Sequence, residues 1–198
     1  MRNEANTALW NAFKKGNWDA YTILYNNYYA LLNNYGYKFT RNTTVIEDAI
    51  HDLFVRLWVS RDNLGEPESI KNYLYKSLRN TLIRKIKAEE KYTGIDDEDY
   101  PTGFEVSYEE QAGIAIEQRE YREKIKAVIH SLPPRQKEII YLRFYEGLSY
   151  DEIADIMSIS VNSAYKLLYK ALENLQRIIG PLKLLQLFFC FENFLKII

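Results

Sequence analysis

The stretch Ser149-Tyr150-Asp151-Glu152-Ile153-Ala154-Asp155-Ile156-Met157-Ser158-Ile159-Ser160-Val161-Asn162-Ser163-Ala164-Tyr165-Lys166 decides the fold. Ser149 and Glu152 have the spacing of a capping box, in which hydroxyl and carboxylate satisfy orphan amides at a helix start. Behind them Ile153, Ala154, Ile156 and Met157 supply one apolar face. Ser158-Ile159-Ser160 reads as a tight turn. Val161, Ala164, Leu168, Leu172, Leu175 and Ile179 then recur at steps of three and four, which predicts a second helix to about Ile179. A short capped helix, a three-residue turn and a longer helix is the layout of a helix-turn-helix.

In that motif the second helix lies in the DNA major groove. Its outer face here carries Asn162, Ser163, Lys166, Tyr169, Lys170 and Arg177. Amide, hydroxyl and cationic groups match what base edges and phosphates accept. An ordinary helical hairpin with a solvated polar face fits the same layout, and the motif alone does not separate the two.

Upstream, the helical period continues. A first helix spans 6–15, with Leu9, Trp10 and Phe13 on one face, and stops before Gly16. A second, 18–40, repeats Tyr21, Leu24, Tyr25, Tyr28, Leu31, Leu32 and Tyr35. Thr44 and Glu47 have capping-box spacing before a helix that buries Ile46, Ile50, Leu53, Phe54, Leu57 and Trp58. A polar break, 60–68, contains Gly65 and Pro67. Ser69 caps a long helix from Ile70 to about Lys91. Helical pattern returns over 109–130. Pro134 opens a helix over 135–145 that ends at Gly147. Residues 92–108, with Gly94, Pro101, Gly103 and the run Asp96-Asp97-Glu98-Asp99, show no period and read as an acidic flexible linker. The expected architecture is all-α: a domain over 1–91, the linker 92–108, a helix-turn-helix domain over 109–180 and an apolar tail over 181–198.

The helix from Ile70 concentrates charge. Ile70, Leu74, Leu78, Leu82 and Ile86 are expected to face inward, and Asn72, Tyr73, Lys76, Arg79, Asn80, Arg84 and Lys87 outward. Six cations and no acid fall between Lys71 and Lys87, although 26 Lys and Arg stand against 27 Asp and Glu in the whole chain. A uniformly basic nucleic-acid binder is therefore excluded, and positive charge is local. Such a face attracts phosphates, and Tyr73 suits stacking on an unpaired base. A solvated basic face balanced by acids elsewhere is the other reading.

Three blocks resemble the bacterial RNA polymerase sigma factors of the extracytoplasmic-function (ECF) group. They are Ile46 to Trp58, Ser69 to Lys87, and Leu132-Pro133-Pro134-Arg135-Gln136-Lys137-Glu138 with the helix-turn-helix that follows. The wording of Val161 to Lys166 is most similar to members from Bacteroidetes-type bacteria. The resemblance implies a sigma factor that binds core RNA polymerase, recognises promoter −10 and −35 elements and directs transcription initiation. It implies that Asp48, His51, Asp52 and Arg56 face the polymerase clamp, and that the loop 61–68 accepts an extruded promoter base. Asn72, Tyr73, Lys76, Arg79, Asn80, Arg84 and Lys87 would hold the melting −10 strand. Asn162, Ser163, Tyr165, Lys166, Tyr169 and Lys170 would enter the −35 major groove. The acidic linker would thread polymerase channels. The implied partners are core RNA polymerase, promoter DNA and an anti-sigma protein, in many members membrane-bound. Two departures stand out: His51 replaces a more usual Gln, and Leu167 replaces a frequent Arg, removing one expected DNA cation.

Other classes have less support. A stand-alone helix-turn-helix regulator that does not join polymerase is the alternative. Catalysis is not expected: His51 and His130 fall in different domains, with no nucleophile motif or phosphate-binding glycine loop, and no cofactor, metal or small-molecule substrate is implied. The acids at 96–99 suit a divalent cation or plain solvation. Cys190, the one cysteine, excludes an internal disulfide or a Cys-based zinc cage. No signal peptide is visible behind Met1-Arg2-Asn3-Glu4, so a cytoplasmic location is expected. The tail after Pro181, interrupted by Lys183, Gln186, Glu192 and Lys196, is too polar for a membrane span. It suits packing on the second domain, a regulator contact or a surface-lying amphipathic helix.

Overall fold

The computed structural model describes residues 2–93 and 129–179, with side chains over 5–88 and 129–177. The described residues form helices and no strands. They belong to two compact units, 1–101 and 102–198. Residues 92–93 of the expected linker continue the helix that begins at Ile70; the rest of the linker, residues 109–128 of the helix expected over 109–130 and the tail over 181–198 lie outside the described residues, as do Cys190 and the acids at 96–99.

The first unit holds α1 (Arg2–Lys14), α2 (Trp18–Gly36), α3 (Thr43–Val59) and α4 (Ile70–Thr93). A 3₁₀ turn, Arg61–Asn63, lies in the loop between α3 and α4. Gly16 ends the α1 region at φ +81°, a conformation that L side chains resist. Asn17 caps α2 by accepting from the Ala20 amide at 2.9 Å. In place of the expected Thr44, α3 is capped by Asn42, whose side chain accepts from the Val45 amide, and Thr44 lies inside the first turn. Asn is at least as good a cap as Thr, and the Thr40 hydroxyl accepts from the Asn42 amide at 3.1 Å, fixing the entry. Ser69 caps α4 as expected, its hydroxyl accepting from the Asn72 amide.

The core of this unit is where the period placed it. Trp10, Phe13, Leu24, Leu32, Tyr35, Ile46, Ile50, Leu53, Phe54, Leu57, Leu74, Leu78 and Leu82 are buried. Tyr25 and Leu31 are exposed instead, because α2 meets its neighbours along a narrower arc than its apolar period suggests, and Trp58 near the end of α3 is half-buried. Tyrosines fill interfaces: Tyr35 of α2 and Tyr75 of α4 are both buried and stack at 4.5 Å with planes 6° apart. A continuous aromatic ladder follows the α2–α3 seam through Trp18, Trp58, Tyr21, Phe54, Tyr25 and Tyr29.

The second unit holds α5 (Pro134–Ile140), a π-helical turn (Tyr141–Tyr145), α6 (Tyr150–Met157) and α7 (Val161–Ile179). The expected uniform helix over 135–145 is therefore corrected: the α-helical ladder stops at Ile140 and widens. The Glu146 amide reaches the Tyr141 carbonyl, and the Leu148 amide reaches Leu142 across Gly147 at φ +69°. The wide turn brings the Tyr141 hydroxyl to 2.6 Å from Glu146 Oε1. The Ser149–Glu152 capping box is present, with both the Ser149 hydroxyl and the Glu152 carboxylate engaged. Ile139, Leu142, Ile153, Ile156, Ala164, Leu168, Ala171 and Leu175 form the core.

Gly36 shows how tightly the first unit packs. A Cβ there would lie 2.6 Å from Ile46 Cγ2 of α3. Helix propensity favours Gly36→Ala by about 1 kcal/mol, but overpacking costs about 1–3 kcal/mol. The substitution is expected to lower the unfolding midpoint in urea; a raised midpoint would contradict the close approach.

Candidate nucleic-acid interface

Two surfaces carry the expected functional residues, one in each unit. In the first, α4 packs on both α2 and α3. Its buried arc is consequently wider than one stripe. Besides the predicted Leu row, a second row at three- and four-residue steps is buried, including Asn72, Tyr75 and Arg79. This corrects the outward assignment of Asn72 and Arg79: Arg79 is 5% exposed. Tyr73, Lys76 and Lys87 are half-buried, while Asn80 and Arg84 are exposed.

Between α3, the loop and α4 lies a cleft of about 280 Å³. That is near the lower end of the ~300–1,000 Å³ usual for small-ligand sites. Leu53, Leu57 and Leu64 give it an apolar floor, and Tyr73, Ser77, Asn80, Thr81, Arg84, Arg56 and Ser60 give it donors and a ring. The loop is not loose. The Trp10 indole donates to the Gly65 carbonyl at 2.9 Å, and Trp10 meets Tyr73 edge to face at 5.6 Å. Arg61 donates to the Trp58 carbonyl and lies over the Trp58 ring at 4.7 Å. Helix α1 therefore sets the position of one cleft wall. Nothing in the sequence signalled Trp10 as anything but core. Ser77 and Thr81 were legible only as neighbours of Asn80 and Arg84 one turn apart on α4.

The exposed stripe of α3 carries Asp48, His51, Val55 and Val59, with Asp52 half-buried. Arg56, expected at the same surface, also reaches α4: its Nη2 donates to the Thr81 hydroxyl at 2.6 Å, and Thr81 donates to the Ser77 carbonyl. One turn away, Lys85 Nζ pairs with Asp52 Oδ2 at 2.9 Å. The hydrogen bond from Lys85 holds the Asp52 carboxyl below the usual carboxylate range; partial burial opposes this, and the charges of Lys85, Arg56 and His51 assist. Two polar straps thus join the surface of α3 to the cationic helix.

In the second unit every proposed reader on α7 is exposed: Asn162, Ser163, Tyr165, Lys166, Tyr169 and Lys170. Two are nevertheless engaged. Ser160 caps α7, accepting from the Ser163 amide at 3.1 Å, and the two hydroxyls share a hydrogen bond. Tyr165 stacks on Tyr150 of α6 with centroids 3.7 Å apart, and Arg143 lies 5.0 Å from the centroid of the Tyr150 ring. The turn itself is strained at Ser158, whose φ of +53° is left-handed.

Residues 24–92 match the family described as Sigma-70 region 2, and residues 122–175 match Sigma-70, region 4. The RNA polymerase sigma factor SigV of Bacillus subtilis is 29% identical over 140 residues, 69% of this chain and 77% of the relative. The ECF RNA polymerase sigma-E factor of Haemophilus influenzae is 26% identical over 185 residues, 88% of this chain and 95% of the relative. The chain belongs to the ECF-type RNA polymerase sigma factors. As such it directs transcription initiation. The fold of this sigma factor is similar to that of CnrH, solved in complex with the cytosolic domain of CnrY (TM-score 0.59, 18% identity, 88% of this chain and 97% of that one). It is also similar to the sigma factor RpoE of Bartonella quintana, solved with the anti-sigma factor NepR (TM-score 0.54, 19% identity, 76% and 90%). Among the described residues no group of three or more His, Cys, Asp or Glu could hold a metal, and no helix is long and apolar enough to cross a membrane.

Two expected outcomes follow from this geometry. Ser158→Gly relieves about 1–2 kcal/mol of left-handed strain and returns about 0.4–1 kcal/mol through the unfolded chain. The sigma factor should therefore gain about 0.5–1 kcal/mol, read as a rise in the thermal midpoint of its second unit. For Asp52, the depressed pKa means that the stability from its ion pair is present above the unfolded-state value and is lost as pH falls through the folded-state value. The pair is partly solvated, so its worth is about 0.2–1 kcal/mol. Lys85→Met should return the Asp52 titration, followed by carboxyl NMR, to the usual range. An unchanged titration would remove Lys85 as the cause.

Proposed function

We propose that the cleft between α3, the loop and α4 receives a promoter base that has left the stack, and that α7 fixes register on the upstream duplex. The observation carrying this reading is the cleft itself: apolar floor, a half-buried Tyr73 and the polar groups of Ser77, Asn80 and Arg84 converge on one opening. A flipped base offers a ring face for stacking and polar edges for hydrogen bonds. Capturing it offsets an unstacking cost of a few kcal/mol, so melting is favoured where the base fits. Tyr73, Lys76, Asn80, Arg84 and Lys87 serve the −10 strand in this reading, while Asn72 and Arg79 hold α4 in place. Asp48, His51, Asp52 and Arg56 meet the polymerase clamp in this reading, and Arg56 also lines the cleft.

The first unit would thus serve polymerase and the −10 element, the second the −35 element through Asn162, Ser163, Tyr165, Lys166, Tyr169 and Lys170. The proposed partners are core RNA polymerase, promoter DNA and an anti-sigma protein; the last is supported by the complexes in which CnrH and RpoE were solved. RNA polymerase supplies the chemistry, and the site of action is the cytoplasm.

Neutralising Arg79 is a poor test, since a buried guanidinium would be removed with it. Asn80→Ala with Arg84→Ala leaves the core intact. Each lost polar or charge-assisted contact is worth about 0.5–3 kcal/mol, so open-complex formation should fall roughly tenfold or more. Permanganate footprinting with core polymerase reads the melting, and co-purification reads polymerase binding, which should persist. Normal melting by the double variant would sink the cleft assignment.

A further inference from the structure

Part of the reading face of α7 is not free to read bases. Ser163 is committed to the helix cap, and Leu167 supplies no hydrogen bond. Beside Asn162, Lys166 and Lys170, the N-terminal half presents aromatic rings: Tyr165 is 52% and Tyr169 73% exposed, one helical turn apart. Exposed tyrosines at such levels discard apolar burial in the free protein, so their rings are available to a partner surface.

Tyr165 is also held in place. Its ring lies 3.7 Å from that of Tyr150, centroid to centroid and nearly parallel at 24°. Arg143 covers Tyr150 at 5.0 Å. The Arg143 guanidinium is itself anchored, donating through Nη1 to the Leu148 carbonyl at 2.7 Å. The π-helical turn that carries Arg143, the first residue of α6 and the fifth residue of α7 therefore form one stack, pinned to backbone at its far end. Such pinning removes side-chain freedom before any ligand arrives, so less entropy is lost on binding.

We propose that Tyr165 and Tyr169 read thymine C5-methyl groups in the upstream promoter element, with Tyr150 as the positioning residue behind Tyr165. This rests on the placement of α7 in the major groove. The thymine methyl is the one apolar group on a major-groove base edge, and apolar side chains are what recognise it. The stack makes the reader rigid; the neighbouring Lys166 and Lys170 supply phosphate contacts that carry no sequence information. Specificity at these positions then comes from methyl contact in place of the missing cation at Leu167.

The test leaves the protein untouched in its main arm. A promoter is obtained by run-off transcription with the full chain and core polymerase, and each upstream thymine is replaced singly by deoxyuridine. The replacement keeps every hydrogen-bonding group and deletes only the methyl. Holoenzyme affinity should fall about fourfold per contacted methyl, the equivalent of one buried methylene-sized group. The penalty should vanish at one position in Tyr165→Ala and at another in Tyr169→Ala. It should persist in Tyr150→Phe and shrink in Tyr150→Ala, a pattern that simple loss of stability would not produce. Uniform affinity across all uracil-substituted promoters overturns the proposal, as does a penalty unchanged in both tyrosine variants. Lys166→Ala with Lys170→Ala separates the two levels. If it lowers affinity and flattens the salt dependence while uracil has no effect, methyl reading alone fails. If it changes neither, the groove placement fails as well.

Discussion

The packing of α4 against two partners at once is the constraint from which the rest of the first unit follows. A helix that must bury one side on α2 and another on α3 has little surface left, and five of its six cations have to share it. The buried arc takes Tyr75, Asn72 and Arg79 along with the leucines. Between 71 and 87 Asn80 and Arg84 are the exposed residues and both line the cleft, while Lys71, Lys76, Lys85 and Lys87 stay half-buried. Arg84, with Arg56 of α3, thus sets positive charge beside the leucines that line the cleft. That placement matters because a charge beside low-dielectric walls acts on a bound group more strongly than one in free solvent.

The same packing explains why the two proposed tasks of this unit share residues. Asp52 and Arg56 belong to α3 by sequence, yet each is tied to α4, one through Lys85 and the other through Thr81. A partner that takes hold of α3 therefore takes hold of the back of the cleft. Helix α1 adds a third support. It lies wholly ahead of the segment matching Sigma-70 region 2, but its Trp10 fixes the backbone of the loop at Gly65. Loop position, and with it the shape of the cleft mouth, depends on a residue far away in sequence.

The second unit solves a different problem. A helix-turn-helix needs a sharp reversal between α6 and α7, and the chain makes it with Ser158 in a left-handed conformation. The strain is held by caps on both sides: Ser149 and Glu152 before α6, Ser160 before α7. The Arg143–Tyr150–Tyr165 stack then ties the π turn to both helices of the motif and stiffens the exposed face of α7.

Local chemistry alone determined the helices, the Ser149 and Ser69 caps, the leucine row of α4 and the exposed face of α7, because each depends only on residues three or four apart along one helix. The three sequence blocks likewise announced the family. Tertiary structure decided the remainder. It buried Asn72 and Arg79, since a wheel drawn for one neighbour cannot foresee a second. It moved the α3 cap from Thr44 to Asn42, a choice between two adequate residues that the entering chain settled. It converted the end of α5 into a π turn, where the Glu146 and Leu148 amides take up the Tyr141 and Leu142 carbonyls across Gly147. It also joined Trp10 to Gly65 and Tyr150 to Tyr165, pairs 55 and 15 residues apart. Contacts at that separation leave no periodic trace, so only the folded chain reveals them.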